Sequence, residues 1–164
     1  MAWRLTNADR LLARYAPDPL TGLPGRRAFH DQYQRLAAGP RRRQSGVILL
    51  LLDVVHLNAI NDRFGYMVGD EALRAVADAL RRAVRTTDLV ARYGGDEFAA
   101  LLVDAGPANI EGVVNRVHDT LTDLVSRRGL PVTVQCAIGV SGSQDPPATA
   151  DELLWEADEH LRCK

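Results

Sequence analysis

The chain has 164 residues and a mass of 18.0 kDa, the length of one domain with enough chain to bury a core. Hydrophobic residues make up 46% and charged residues 25%, and the net charge of -1 excludes a generally basic nucleic-acid binder. Of the 20 basic residues, 19 are Arg and the only Lys is Lys164, so chemistry that needs a lysine ammonium has almost nowhere to come from. Cys136 and Cys163 form neither a disulfide framework nor a zinc motif. The longest apolar run, Val47 to Leu52, is too short to cross a membrane, and the start shows no signal-peptide pattern. A reducing, cytoplasmic setting is expected.

In chain order, residues 3–15 read as a short amphipathic helix with Leu5, Leu11, Leu12 and Tyr15 among polar residues; Pro17 and Pro19 end it. A turn-rich stretch from Asp18 to Gly25 follows. Arg26 to Ala38 is predicted helical, with Phe29, Tyr33 and Leu36 on one face. Gly39-Pro40 and Arg41-Arg42-Arg43 read as a solvated loop. Gly46 to Asp53 is a continuous apolar run ending in an acid, as suits a strand buried on both faces. A polar segment with Asn58, Asn61 and Asp62 leads to Gly65 and Gly69, and residues 70–85 form a helix. Leu89–Tyr93 and Phe98–Val103 are strands of a hairpin around Gly94-Gly95-Asp96-Glu97. Pro107 opens a helix to about Arg128; Val132–Val140 reads as a strand and Ala150–Arg162 as the last helix. One hairpin among helical crossovers predicts an α/β (α+β) fold, a mixed, largely antiparallel sheet flanked by helices in the ferredoxin-like or polymerase-palm manner.

Two carboxylate sites stand out. Asp53 alone is as well explained as a turn residue ending a strand. Asp96 and Glu97 alone are as well explained as a solvated hairpin tip. If the hairpin lies beside the Asp53 strand, the acids face each other. They then offer the hard oxygen ligands that Mg²⁺ on a nucleotide phosphate requires. Gly94 and Gly95 would let a base or phosphate approach the backbone. His30, His56, His118 and His160 are scattered and make no nucleophile–base constellation.

Tyr93-Gly94-Gly95-Asp96-Glu97-Phe98 resembles the signature of GGDEF domains, the diguanylate cyclases. The resemblance extends over residues 17–164. It takes in Asp18-Pro19-Leu20-Thr21-Gly22-Leu23 with Arg26, Arg27 and Phe29, then Asp53, Ile60-Asn61-Asp62, Gly65 and Gly69-Asp70. Arg85-Thr86-Thr87-Asp88, Ile138-Gly139 and Ala157-Asp158 complete it. It implies that two GTP condense to cyclic di-GMP with release of pyrophosphate, each subunit of a homodimer presenting one GTP. Asp53, Asp96 and the Val54 carbonyl would hold Mg²⁺ or Mn²⁺, with Glu97 assisting at the metal or in proton removal. Asn61 and Asp70 would read the guanine edge, and Leu20 and Leu73 would line its pocket. Adenine lacks the donor pair that Asp70 accepts. Arg85 and Asp88 would form the product-inhibition site for c-di-GMP; by themselves they are equally an exposed ion pair at a helix end. Residues 1–16 would be a linker helix coupling an upstream sensor.

The chain departs from the family pattern where phosphates bind. The family's Asp-x-Asp-x-Phe-Lys is Asp53-Val54-Val55-His56-Leu57-Asn58, so Asn58 stands in place of the phosphate lysine. The family's Gly-His is Gly65-Tyr66, and its late-strand Ser is Ala137. Aligned on Ala157-Asp158, Lys164 falls one residue before the family's second phosphate lysine. A charge-assisted contact of this kind is worth about 1.5–3 kcal/mol. Two readings follow: a diguanylate cyclase of low activity, and a degenerate domain that binds GTP or c-di-GMP as a regulatory module. A dimerisation module without nucleotide is the third.

Overall fold

The structure is a computed structural model and describes residues 6–40 and 46–163. The basic triplet Arg41-Arg42-Arg43, the first residues of the opening helix and Lys164 lie outside the described residues. The described elements are α1 (Asn7–Arg14), α2 (Arg26–Ala38), β1 (Val47–Val54), α3 (Leu57–Phe64), α4 (Tyr66–Ala83), β2 (Leu89–Arg92), β3 (Glu97–Val103), a 3₁₀ turn (Pro107–Asn109), α5 (Ile110–Arg127), β4 (Cys136–Ser143) and α6 (Asp151–Arg162). The strands form one sheet of order β2-β3-β1-β4, and every pairing between them is antiparallel. The only parallel element among the described residues is the isolated bridge Gly25–Arg92.

The apolar run of β1 is central because side chains alternate across a strand and both faces here need a cover. Ile48, Leu50 and Leu52 join Phe98, Ala100 and Leu102 of β3 under α4 and α5. Val47, Leu49 and Leu51 join Ala99 and Leu101 under Phe29 and Tyr33 of α2 and Leu153, Leu154 and Ala157 of α6. The result is a helix–sheet–helix sandwich with two cores divided by the sheet. Gly139 sets the fit of α6: a Cβ there would stand 2.0 Å from the Ala157 carbonyl oxygen. The Ser141 hydroxyl, donating to the Leu153 carbonyl at 2.6 Å, fastens the same helix.

Several boundaries differ from the sequence expectation. The polar segment after β1 is the helix α3, whose one buried residue is Ile60; a single apolar anchor leaves no periodicity to read. Helix α4 begins at Tyr66 rather than residue 70, because its first turn carries the exposed Tyr66 and Met67 and looks like loop. Strand β4 runs Cys136–Ser143 instead of Val132–Val140. Its bounds are set by β1, from Val54 opposite Cys136 to Val47 opposite Ser143, and Val132 and Val134 lie beyond the end of that partner. The helix expected from Pro107 opens with the 3₁₀ turn, in which Asn109 Oδ1 accepts from Gly106 N–H at 2.9 Å.

Candidate active site

The β3 register sets Glu97 directly opposite Asp53, and Val54 N–H donates to the Asp96 carbonyl at 2.9 Å. The hairpin turn is closed by Tyr93 and Gly94 N–H groups donating to the Glu97 carbonyl at 2.8 and 3.1 Å. Asp53, Asp96 and Glu97 therefore share one corner of the sheet. The hairpin glycines do not have positive φ. A Cβ on Gly94 would meet Glu97 Oε2 at 2.6 Å, whereas Gly95 faces open space.

Negative charge concentrates at this corner. Asp53 Oδ1 is buried and has no hydrogen-bond partner. Burial first, then the Asp96 charge and a hydrogen-bonding approach of the Asp96 carboxyl, push Asp53 above its ordinary value. Glu97 is likewise raised by burial and then by Asp96, Asp53 and Asp158, with Arg26 opposing. An orphaned carboxylate oxygen amid like charges fits a hard divalent cation. Among the described residues no group of three or more acidic, His or Cys side chains converges as a closed metal cage. A cation here needs backbone and ligand oxygens to complete its shell, as Mg²⁺ on a phosphate does.

Two residues past β1, His56 takes a left-handed conformation (φ 58°) and starts α3 without a side-chain cap. An uncapped helix N-terminus beside the carboxylate corner presents N–H donors suited to phosphate oxygens. Asn58 lies in this exposed first turn. The helix then delivers Asn61 onto α4: a Cβ on Gly69 would stand 1.7 Å from Asn61 Oδ1. Gly69 thus admits Asn61 beside Asp70. Leu73 is buried one turn further, and Leu20 packs against the same core with its carbonyl accepting from Arg74 Nε at 3.3 Å.

The opening turn is tied to the hairpin by a residue that sequence reasoning missed. Arg92 Nη1 lies 3.1 Å from both Asp18 carboxylate oxygens, and Nη2 donates to the Gly95 carbonyl at 2.7 Å. Its partner is 74 residues away in the chain, so no local pattern announces the pair. Tyr93, quoted only as part of a motif, is also held: His30 Nε2 stands 2.8 Å from its hydroxyl.

Arg85 and Asp88 lie apart from the corner, at a cavity of about 280 Å³ lined by Arg85, Asp88, Asn109 and Arg116 among others. Asp88 is almost wholly buried and accepts from Arg85 N–H at 2.8 Å and Val103 N–H at 3.0 Å. It pins the start of β2 to the end of β3. The Arg85 side chain is more than half exposed, loosely paired with Asp88 at 3.4 Å and bonded to the Val103 carbonyl. A separate cavity of about 910 Å³, between α5 and the open edge of β4, holds none of the expected site residues.

The described residues thus form an α/β domain with one antiparallel sheet, in which Asp53 at a strand end lies opposite Glu97 of the β2–β3 hairpin. The chain belongs to the GGDEF family: the family model "Diguanylate cyclase, GGDEF domain" matches residues 15–164. It is 31% identical over 147 residues to the diguanylate cyclase DgcP of Pseudomonas aeruginosa, covering 85% of this chain and 22% of that protein. It is 35% identical over 158 residues to the response regulator PleD of Caulobacter vibrioides, covering 93% of this chain and 34% of PleD. A relative of another activity, the cyclic di-GMP phosphodiesterase NbdA of Pseudomonas aeruginosa, is 33% identical over 150 residues, with 90% of this chain and 19% of NbdA covered. The chain thus spans between 19% and 34% of the length of these curated relatives. Among solved structures, the diguanylate cyclase SiaD of Pseudomonas aeruginosa, crystallised with its activator SiaC, superposes with a TM-score of 0.80 at 30% identity, covering 96% of this chain and 61% of SiaD.

Proposed function

We propose that this domain condenses two GTP into cyclic di-GMP with release of two pyrophosphates. The observation that carries the reading is the buried, unpartnered Asp53 oxygen facing Asp96 and Glu97 in a chain of the GGDEF family. Asp53, Asp96 and the Val54 carbonyl would hold Mg²⁺ or Mn²⁺, which when bound supplies charge neutralisation at the phosphates. Asn61 and Asp70 orient guanine through its hydrogen-bonding edge, and Leu20 and Leu73 flank it. The first turn of α3 takes phosphate oxygens through backbone N–H groups, which offsets the loss of a lysine at Asn58. Glu97, whose carboxyl is raised above its ordinary value by burial and by the neighbouring acids, is suited in its charged form to accept the 3′-hydroxyl proton. Each GTP attacks the α-phosphate of the other, so two copies of the domain face each other during reaction. Residues 1–16 form the linker from a sensor, and c-di-GMP bound at Arg85 and Asp88 restrains the reaction.

The test is incubation with GTP and Mg²⁺ or Mn²⁺, with c-di-GMP and pyrophosphate quantified by chromatography. Product from the wild type and none from Asp96→Ala supports the reading; no product at high protein concentration refutes catalysis. A second reading, a GTP- or c-di-GMP-binding regulatory module, is favoured by Asn58 in the place of the family's phosphate lysine. Calorimetry separates the two. Nucleotide binding without turnover, with c-di-GMP binding lost in Arg85→Ala, establishes the module.

A further inference from the structure

A triphosphate brought to the Asp53–Asp96–Glu97 corner meets an excess of negative charge, to which Asp158 of α6 adds. Arg92, one guanidinium at the hairpin, is already engaged by Asp18 and the Gly95 carbonyl. Arg26 is differently placed. It is the first residue of α2, and the Gly25–Arg92 bridge sets that first turn against the hairpin strand. Its guanidinium carbon stands 4.8 Å over the centre of the Tyr93 ring. That ring is fixed in turn by the His30 contact at 2.8 Å and by Phe29 edge-on at 6.1 Å. The next residue is Gly94, whose empty Cβ position is filled by the Glu97 side chain. Arg26, Tyr93, Gly94 and Glu97 are thus contiguous, and Arg26 favours the charged form of Glu97.

We propose that Arg26, set over the Tyr93 ring, is the cation that binds the polyphosphate of the nucleotide at this corner. The inference rests on the nucleotide site proposed above. The guanidinium lies over the Tyr93 ring and hydrogen-bonds its side chain, and the fork carries five N–H donors, more than that contact uses. Holding the guanidinium at Tyr93 also lowers the entropy lost when the fork engages phosphate. The residue is exposed, so a ligand can reach it. In a chain whose only lysine is its last residue, this supplies the positive charge from an arginine instead.

The test compares binding of 3′-deoxy-GTP, which lacks the attacking hydroxyl and cannot turn over, with binding of GMP. Both are titrated with Mg²⁺ into wild type, Arg26→Lys and Arg26→Met by calorimetry. The Met variant keeps an apolar stem over Tyr93, so the ring stays packed; circular dichroism checks the fold. Arg26→Met is expected to weaken 3′-deoxy-GTP about 10- to 100-fold while GMP changes less than about twofold, with Arg26→Lys between. Equal loss for both nucleotides, or no loss for either, overturns the role of Arg26 while leaving the site. Failure of wild type to bind either nucleotide overturns the site itself and the inference with it.

Discussion

Arg92 and Asp18 form a fork in which one guanidinium nitrogen lies 3.1 Å from each carboxylate oxygen. Asp18 is fully engaged, since Thr21 N–H and hydroxyl donate to it at 2.8 and 2.7 Å. Through Arg92 Nη2 the same unit grips the Gly95 carbonyl. The opening turn thereby sets the height of the hairpin that carries Asp96 and Glu97. The turn is itself tethered to α4, where Arg81 donates to the Thr21 carbonyl at 2.9 Å.

Removing either partner leaves a charge about five-sixths buried without its counter-ion. Asp18→Ala and Arg92→Ala are each expected to cost about 1–3 kcal/mol, below the range for fully buried pairs because some solvent reaches both groups. Urea denaturation of the two single variants and the double variant gives the coupling. A double variant no worse than either single places the energy in the pair; additive losses show that the two act separately.

The carboxylate corner makes the metal-free fold sensitive to pH. Asp53 and Glu97 are raised above their ordinary values of 3.8 and 4.5. The folded state therefore holds their protons more tightly than the unfolded state. Their contribution to stability is complete below those values and is lost as pH rises through the raised folded values. Asp53→Asn is expected to raise the melting temperature of metal-free protein at pH 7, with the difference closing below pH 3.8. Mg²⁺ raises the melting temperature of wild type and not of the variant. An unchanged melting temperature at neutral pH contradicts the account.

Gly69→Ala separates binding from stability. Alanine improves helix propensity by about 1 kcal/mol, but its Cβ occupies the place of Asn61 Oδ1. Asn61 can rotate away, so the unfolding free energy is expected to change by less than about 1 kcal/mol. Guanine nucleotide affinity should fall about tenfold or more, because a base edge loses a positioned partner. Calorimetry with GMP and a urea melt on the same sample read both quantities.

Asp88 and Arg85 should behave unlike each other. Asp88→Ala removes the acceptor of two backbone N–H groups at the β2–β3 edge and is expected to cost about 2–3 kcal/mol. Arg85→Ala, at a mostly exposed side chain, should cost less than about 1 kcal/mol. Chemical denaturation decides this. Equal losses would place Arg85 in the fold as firmly as Asp88, and Arg85 variants would then report on folding as well as on c-di-GMP.

Local order was legible wherever one strong pattern acted. Helix α2 has the bounds its periodicity predicts, Arg26–Ala38, and the apolar run from Val47 is the central strand. The motif around Gly94 and Gly95 led to the family that the comparisons show. Helix α3 was not legible, because one buried Ile60 makes no period and its start depends on a left-handed His56. The shift of β4 was not legible either, since a strand ends where its partner ends.

Residue identity alone set the family, the charge inventory and the alternation that splits the core on two faces of β1. Composition, a motif and the two-sided geometry of an apolar strand carry those properties without help from the tertiary structure. The tertiary structure decided which acids share a corner, that Arg92 reaches Asp18 across 74 residues, and that Asp53 keeps a buried oxygen without a partner. Such pairings join groups distant in sequence. They arise when the sheet closes and water is excluded, and nothing local in the chain encodes them.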